Sequence, residues 1–237
     1  MIVMKRIGKI ALVLVFGVML LNMTVMSKCG DNHTTQISSS TYFNILKINK
    51  DEMSFGVSNN RPDTADFYIN SNFFNNSAIG LVVIEGLRYS NRHRSGGYFY
   101  VVNGKPHIAS GFCPRMTQYA SQTILWGIDN GIKNEKLFNT RHGNLNRYRT
   151  IMGENSEGQI IVVSSNRIGL VTIKEIVDYA ESLGMVEGIL LDGGTSVDYK
   201  FTDDSEIETF QSVPDFIKSR TNIKQPTTYI YGNFKNN

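Results

Sequence analysis

A chain of 237 residues with 41% hydrophobic content can bury a sizeable core, and we read it as one large domain rather than two small ones. Its net charge of +3 draws partly on Lys5, Arg6 and Lys9, and the remaining basic residues are scattered, so no nucleic-acid footprint follows. The only cysteines, Cys29 and Cys113, share no metal-ligand spacing with His33, His93, His107 or His142, which leaves a thiol or zinc mechanism without support.

Lys5, Arg6 and Lys9 precede an apolar run from Ile10 to Leu21, broken at Asn22 and resumed to Met26, which is the layout of a secretory signal. A transmembrane helix needs ~20 apolar residues. This run falls slightly short, so residues 1–27 are expected to be a signal peptide cut after Ser27, or else a retained membrane anchor. Lys28 counts against a lipid on Cys29, because a small residue is expected there. The expected location is extracytoplasmic, secreted or held to the membrane by the N-terminal segment. Residues 28–40 are rich in Asp, Asn, Thr and Ser and predict a polar tether, with the domain spanning 41–237.

From Thr41 the pattern predicts strands at 42–48, 53–57, 66–69, 79–84 and 98–102, with Asn103-Gly104 the strongest hairpin turn in the chain. Arg88, Arg92, His93 and Arg94 read as a solvated loop. Residues 115–148 mix strand and turn signals around Trp126, Gly127 and Asp129-Asn130-Gly131. His142 lies in a polar loop there and His107 on a strand, and both read as ordinary solvated histidines. Residues 159–164 predict a strand.

Thr172 and Glu175 have the spacing of a capping box. Ile173, Ile176, Val177, Ala180 and Leu183 share one helical face, and Gly184 supplies the left-handed stop, so a helix over 172–183 follows. The apolar run 188–191 then predicts a buried strand ending at Asp192-Gly193-Gly194-Thr195-Ser196. Such carboxyl ends collect ligand sites in strand–helix–strand units. Two glycines there can take positive φ and open backbone N–H groups to a ligand. A strand at 197–201, a short helix at 213–218 and a strand at 227–231 complete an α+β class: a single domain with a mixed β-sheet core and one long capped helix packed on it.

Arg149-Thr150-Ile151-Met152-Gly153, the 159–164 strand, Gly169, the capped helix and Leu191-Asp192-Gly193-Gly194-Thr195-Ser196 together resemble the phosphodiester glycosidase family. Upstream, Tyr68-Ile69-Asn70-Ser71-Asn72-Phe73-Phe74 is similar to the family's Asn-Gly-x-Phe-Phe segment, and Gln122 falls where the family often carries a Gln. Ser71 and Thr195 stand where the family prefers Gly, and no Pro follows Gln122.

The resemblance implies hydrolysis of the glycosidic bond of a sugar 1-phosphodiester, with a glycan or envelope polymer as substrate. Asp192 is then the carboxylate beside the oxocarbenium-like transition state. Arg149 would hold the phosphate, or pair with Asp192. Asn70 would orient sugar hydroxyls or water. Gly193, Gly194, Thr195, Ser196, Gln122 and Asn72 would line the substrate. Two other classes stay open: a cell-surface phosphoglycan-binding module without activity, and an exopolysaccharide-assembly factor. No cofactor is implied. Asp192 with Asp198, or with Asp203 and Asp204, offers oxygen ligands to a divalent cation, and acidic residues after a turn are equally at home in solvent.

Overall fold

The computed structural model describes residues 35–75, 77–111, 116–221 and 228–235. The expected export segment, Cys29 and Cys113 lie outside these residues. In chain order the described residues form β1 (Gln36–Ser39), β2 (Phe43–Ile48), β3 (Met53–Ser58), β4 (Phe67–Asn70), β5 (Val82–Ile84), β6 (Leu87–Arg88), β7 (Gly97–Val102), β8 (Lys105–Ser110) and β9 (Tyr119–Thr123). There follow β10 (Leu125–Asp129), β11 (Ile132–Lys133), α1 (Glu135–Phe138), β12 (Thr150–Asn155), β13 (Ile160–Ser165), α2 (Ile173–Ser182), β14 (Met185–Leu190), β15 (Asp198–Thr202), β16 (Ile207–Gln211), α3 (Asp215–Lys218) and β17 (Tyr229–Phe234).

These strands make three sheets, ordered β1-β2-β13-β12-β14-β10-β11, β16-β15-β4-β17-β3 and β6-β5-β9-β7-β8. Every strand pair recorded within them is antiparallel. The expected single mixed sheet with one long helix is therefore corrected to three antiparallel sheets, with a capped helix of only ten residues. The physical reason lies in β12, a strand the sequence pattern does not announce. It pairs antiparallel with β13 on one side and β14 on the other, so those two run parallel without touching. The domain also starts before Thr41. Gln36–Ser39 pairs with β2, and the Asp203 carboxylate accepts the Ile37 N–H at 3.0 Å. An edge strand with one solvated face can be as polar as a tether, which is why composition hid it.

The central strands of the large sheet are buried on both faces. Along β13, Ile160 and Val162 join the core shared with the other two sheets, through Phe67, Ile69, Phe99 and Tyr199, while Ile161 and Val163 join the core under α2. Two buried faces explain the unbroken apolar run, since alternation appears only where one face is wet. The α2 capping box forms as expected: Glu175 N–H donates to Thr172 Oγ1 at 3.2 Å and Thr172 N–H to Glu175 Oε2 at 2.7 Å. Ile173, Ile176, Val177 and Ala180 are buried on the sheet, with Leu183 packed at its edge and Gly184 at φ +85°. Asn103 and Gly104 both take positive φ, at +51° and +72°, in the hairpin joining β7 and β8.

Candidate active site

The end of β14 carries the chain out of the core. Leu191 N–H donates to Thr150 O at 3.0 Å, Asp192 N–H to Ser71 O at 2.9 Å and Gly194 N–H to Tyr148 O at 2.8 Å, so two segments, 148–150 and the one at Ser71, pin the turn by backbone bonds. The two glycines answer different demands, which corrects the expectation that both take positive φ. Gly194 sits at φ +65°. Gly193 is extended, at φ −117° and ψ −158°, and a Cβ on it would lie 2.6 Å from the Tyr148 carbonyl oxygen. Thr195 and Ser71, where the family prefers glycine, avoid positive φ altogether.

Asn70 lies beneath this turn, fully buried at the end of β4. Its Nδ2 donates to the Asp192 carbonyl at 2.9 Å, and its Oδ1 accepts the Asp198 N–H at 3.0 Å. The side chain thus ties the turn's entry to its exit. Asn70 touches the backbone of Asp192, not the groove in front of it. Its bonds hold the turn in place.

The Asp192 carboxylate faces a groove of about 550 Å³, whose walls include Phe74, Arg147, Tyr148, Leu170 and Gly193 through Ser196. Burial pushes its pKa up to about 6, while hydrogen bonds from the Ser196 hydroxyl and the Gly193 N–H pull the other way. A carboxylate poised near neutrality in a concave site is the setting in which perturbed acids do chemistry.

The arginine that lines that groove is Arg147, which the sequence pattern did not single out. Arg149 turns away. Its Nη2 donates to the His142 and Leu145 carbonyls at 2.5 and 3.0 Å, and its Nε is buried without a partner among the described residues. Burial first, then the like charge of Arg147, pulls Arg149 down to about 10, so it remains charged at pH 7. Simple strand alternation would put residues 147 and 149 on one side. The chain departs from it because Arg147 pairs with Val171 in an isolated bridge, whereas Arg149 bonds across to Ser165 through both backbone and hydroxyl. The only sequence signal for Arg147 was its nearness to the Arg149 motif.

Gln122 and Asn72 are fully engaged behind the site. Gln122 Oε1 accepts the N–H groups of Leu81 (3.0 Å) and His93 (2.8 Å), and its Nε2 donates to the carbonyls of His93 (3.0 Å) and Ser95 (3.1 Å). Asn72 Nδ2 donates to the Gln122 carbonyl at 2.5 Å, and its Oδ1 accepts from Ser71 and Ser121. Neither lines the groove.

Among the described residues no group of three His, Cys, Asp or Glu side chains could hold a metal ion. Asp198 is buried against the Tyr229 hydroxyl at 3.0 Å and Arg61 at 3.5 Å, and Asp203 caps the turn before Glu206. His142 contributes its carbonyl to Arg149, and His107 stacks on Tyr100 with ring centroids 5.1 Å apart.

The architecture is similar to that of the zebrafish N-acetylglucosamine-1-phosphodiester alpha-N-acetylglucosaminidase catalytic domain, auto-inhibited by its pro-peptide. The TM-score is 0.62 at 12% identity, covering 86% of this chain and 83% of that one. A hypothetical protein from Synechocystis superposes with a TM-score of 0.55 at 14% identity, over 85% of this chain and 61% of that chain. No curated protein matches the sequence. The family model for phosphodiester glycosidases matches residues 63–220, a span that holds Asn70, Gln122, Arg147 and Asp192 alike, and the chain belongs to that family.

Proposed function

We propose that the protein hydrolyses the glycosidic bond of a sugar 1-phosphodiester in the groove beside Asp192, releasing free sugar and a phosphomonoester. The observation that carries this is a single carboxylate, lifted to about 6, in a groove that Arg147 also lines. The reaction breaks the bond between the anomeric carbon and the phosphate oxygen. A phosphomonoester leaves as a weak base, so little general-acid help is needed, and the main demand is a negative group beside the developing positive charge. Asp192 meets it once ionised. Arg147 meets the phosphate, whose oxygens a guanidinium can hold through two parallel hydrogen bonds. Asn70 and Ser71 act through the Asp192 backbone, and Ser196 orients the carboxylate. We place the activity outside the cytoplasm, on the strength of the basic and then apolar N-terminal segment.

The test is release of reducing sugar from a panel of sugar 1-phosphodiesters by the parent and by Asp192→Asn. The variant keeps the shape and loses the charge, so kcat should fall by about two orders of magnitude or more. Full turnover by the variant would remove Asp192 from the chemistry. A parent that binds these diesters and cleaves none would favour the binding-module reading.

A further inference from the structure

A second cavity of about 660 Å³, walled by Arg61, Tyr68, Arg167, Gln211 and Asp215, lies next to the Asp192 groove, and Tyr148 belongs to the wall of both. A third cavity, of about 580 Å³, shares Arg167 and Thr209 with the second and ends at Ser39 and Asn44. Each alone has the size of a site for one small ligand, and the three in succession exceed it. Cavities that share wall residues lie side by side, and three in a row match the reach of a chain-like ligand.

Tyr148 is the partition between the first two. Its ring packs edge-on against buried Phe210, with centroids 5.1 Å apart, and its hydroxyl donates to the Arg167 carbonyl at 3.0 Å. An aromatic ring held at both ends offers a fixed apolar face at little entropic cost. One arginine lines the wall on each side of it, Arg147 in the first cavity and Arg167 in both the second and third. Among the described residues neither forms an ion pair, whereas Arg61 is taken up by Asp63 and Asp215, both at 2.8 Å. A solvated arginine needs no explanation by itself. Two of them flanking a fixed ring in one groove match an alternation of charge and sugar. The groove also exposes apolar side chains at both ends: Leu170 in the first cavity, and Ile168 and Ile207 in the third, at 53, 67 and 64% exposure.

We infer that this groove takes an anionic sugar–phosphate chain, with one phosphodiester at Arg147 beside Asp192, the next at Arg167, and the intervening sugar against the Tyr148 ring. The inference rests on the proposed hydrolysis only for which bond is cut, and chain recognition can be read by binding alone. The Asp192→Asn protein is titrated by calorimetry with a four-unit oligomer of hexose phosphodiesters, a one-unit diester and a neutral tetrasaccharide. The oligomer should bind about tenfold more tightly than the one-unit diester, as one added charge-assisted pair implies. Adding Arg167→Gln should abolish that gain while leaving one-unit affinity within about twofold. Equal binding of oligomer and one-unit diester would overturn the inference, as would equal binding of the neutral tetrasaccharide, an Arg167→Gln loss shared by both diesters, or no binding at all. Failure of the unmodified protein to hydrolyse any diester bears only on the cleavage reading.

Discussion

The groove beside Asp192 and the seam behind it at Asn70, Ser71, Asn72 and Gln122 are made of similar polar side chains, and they behave in opposite ways. In the seam every side-chain amide is engaged: Gln122 makes four hydrogen bonds, one to Leu81 and three to the loop at His93 and Ser95, and Asn70 locks two backbone groups. In the groove, Arg147 has no ion-pair partner among the described residues and Asp192 keeps a carboxylate at an elevated pKa. Buried amides must find partners, because an unmet one costs about 1–3 kcal/mol. Groups that wait for a ligand are the ones the fold leaves unspent. Hydrogen-bond saturation, more than residue type, separates scaffold from site here.

The contrast is broken most forcefully at Gln122. Gln122→Leu keeps much of the volume and strands the Leu81 and His93 N–H groups together with the His93 and Ser95 carbonyls. We expect a loss of roughly 3–5 kcal/mol in denaturant unfolding. Should stability hold while KM alone rises, Gln122 belongs to the groove and the division drawn above fails.

Asp192 tests the other side with a smaller effect of opposite sign. Its folded pKa is about 6, above the 3.8 of the unfolded chain. The folded state therefore binds more protons between those values, and stability falls as pH rises through that window. Asp192→Asn lacks this proton and should be more stable than the parent near pH 7, by roughly 2–5 °C in Tm, with the difference closing near pH 4. In the parent, the acidic limb of kcat should follow a group titrating near pH 6, since the ionised form is the active one. A Tm difference independent of pH would mean that Asp192 is solvated.

Much of this architecture was legible because local signals agreed with one another. The capping box and the face from Ile173 to Leu183 state the α2 helix outright, and Asn103-Gly104 states the hairpin. β12 was hidden because Thr150-Ile151-Met152-Gly153-Glu154-Asn155 breaks its apolar run with the glycine that lets Glu187 O approach; a Cβ there would lie 2.1 Å from it. At the site, Asp192 was legible as the polar end of an apolar strand. Arg147 was not, because which of two arginines reaches a groove depends on the Val171 and Ser165 pairings, and those join segments 16 or more residues apart.

That same pair of arginines supplies the finest test. Arg147→Lys keeps a positive charge in the groove and loses the planar fork, so KM for a phosphodiester should rise by about threefold to tenfold with kcat changed less, and a sugar with a neutral leaving group should barely respond. Arg149→Lys acts elsewhere. A single ammonium has to replace a guanidinium that holds the His142 and Leu145 carbonyls, so the loop 142–145 should loosen, with a stability loss of about 1–2 kcal/mol and equal effects on charged and neutral substrates. The discriminating quantity is the ratio of kcat/KM on the two substrates, which Arg147→Lys should shift and Arg149→Lys should not. If the ratio moves for Arg149→Lys instead, then the guanidinium buried behind the loop swings into the groove when substrate binds, and the phosphate contact passes from Arg147 to Arg149.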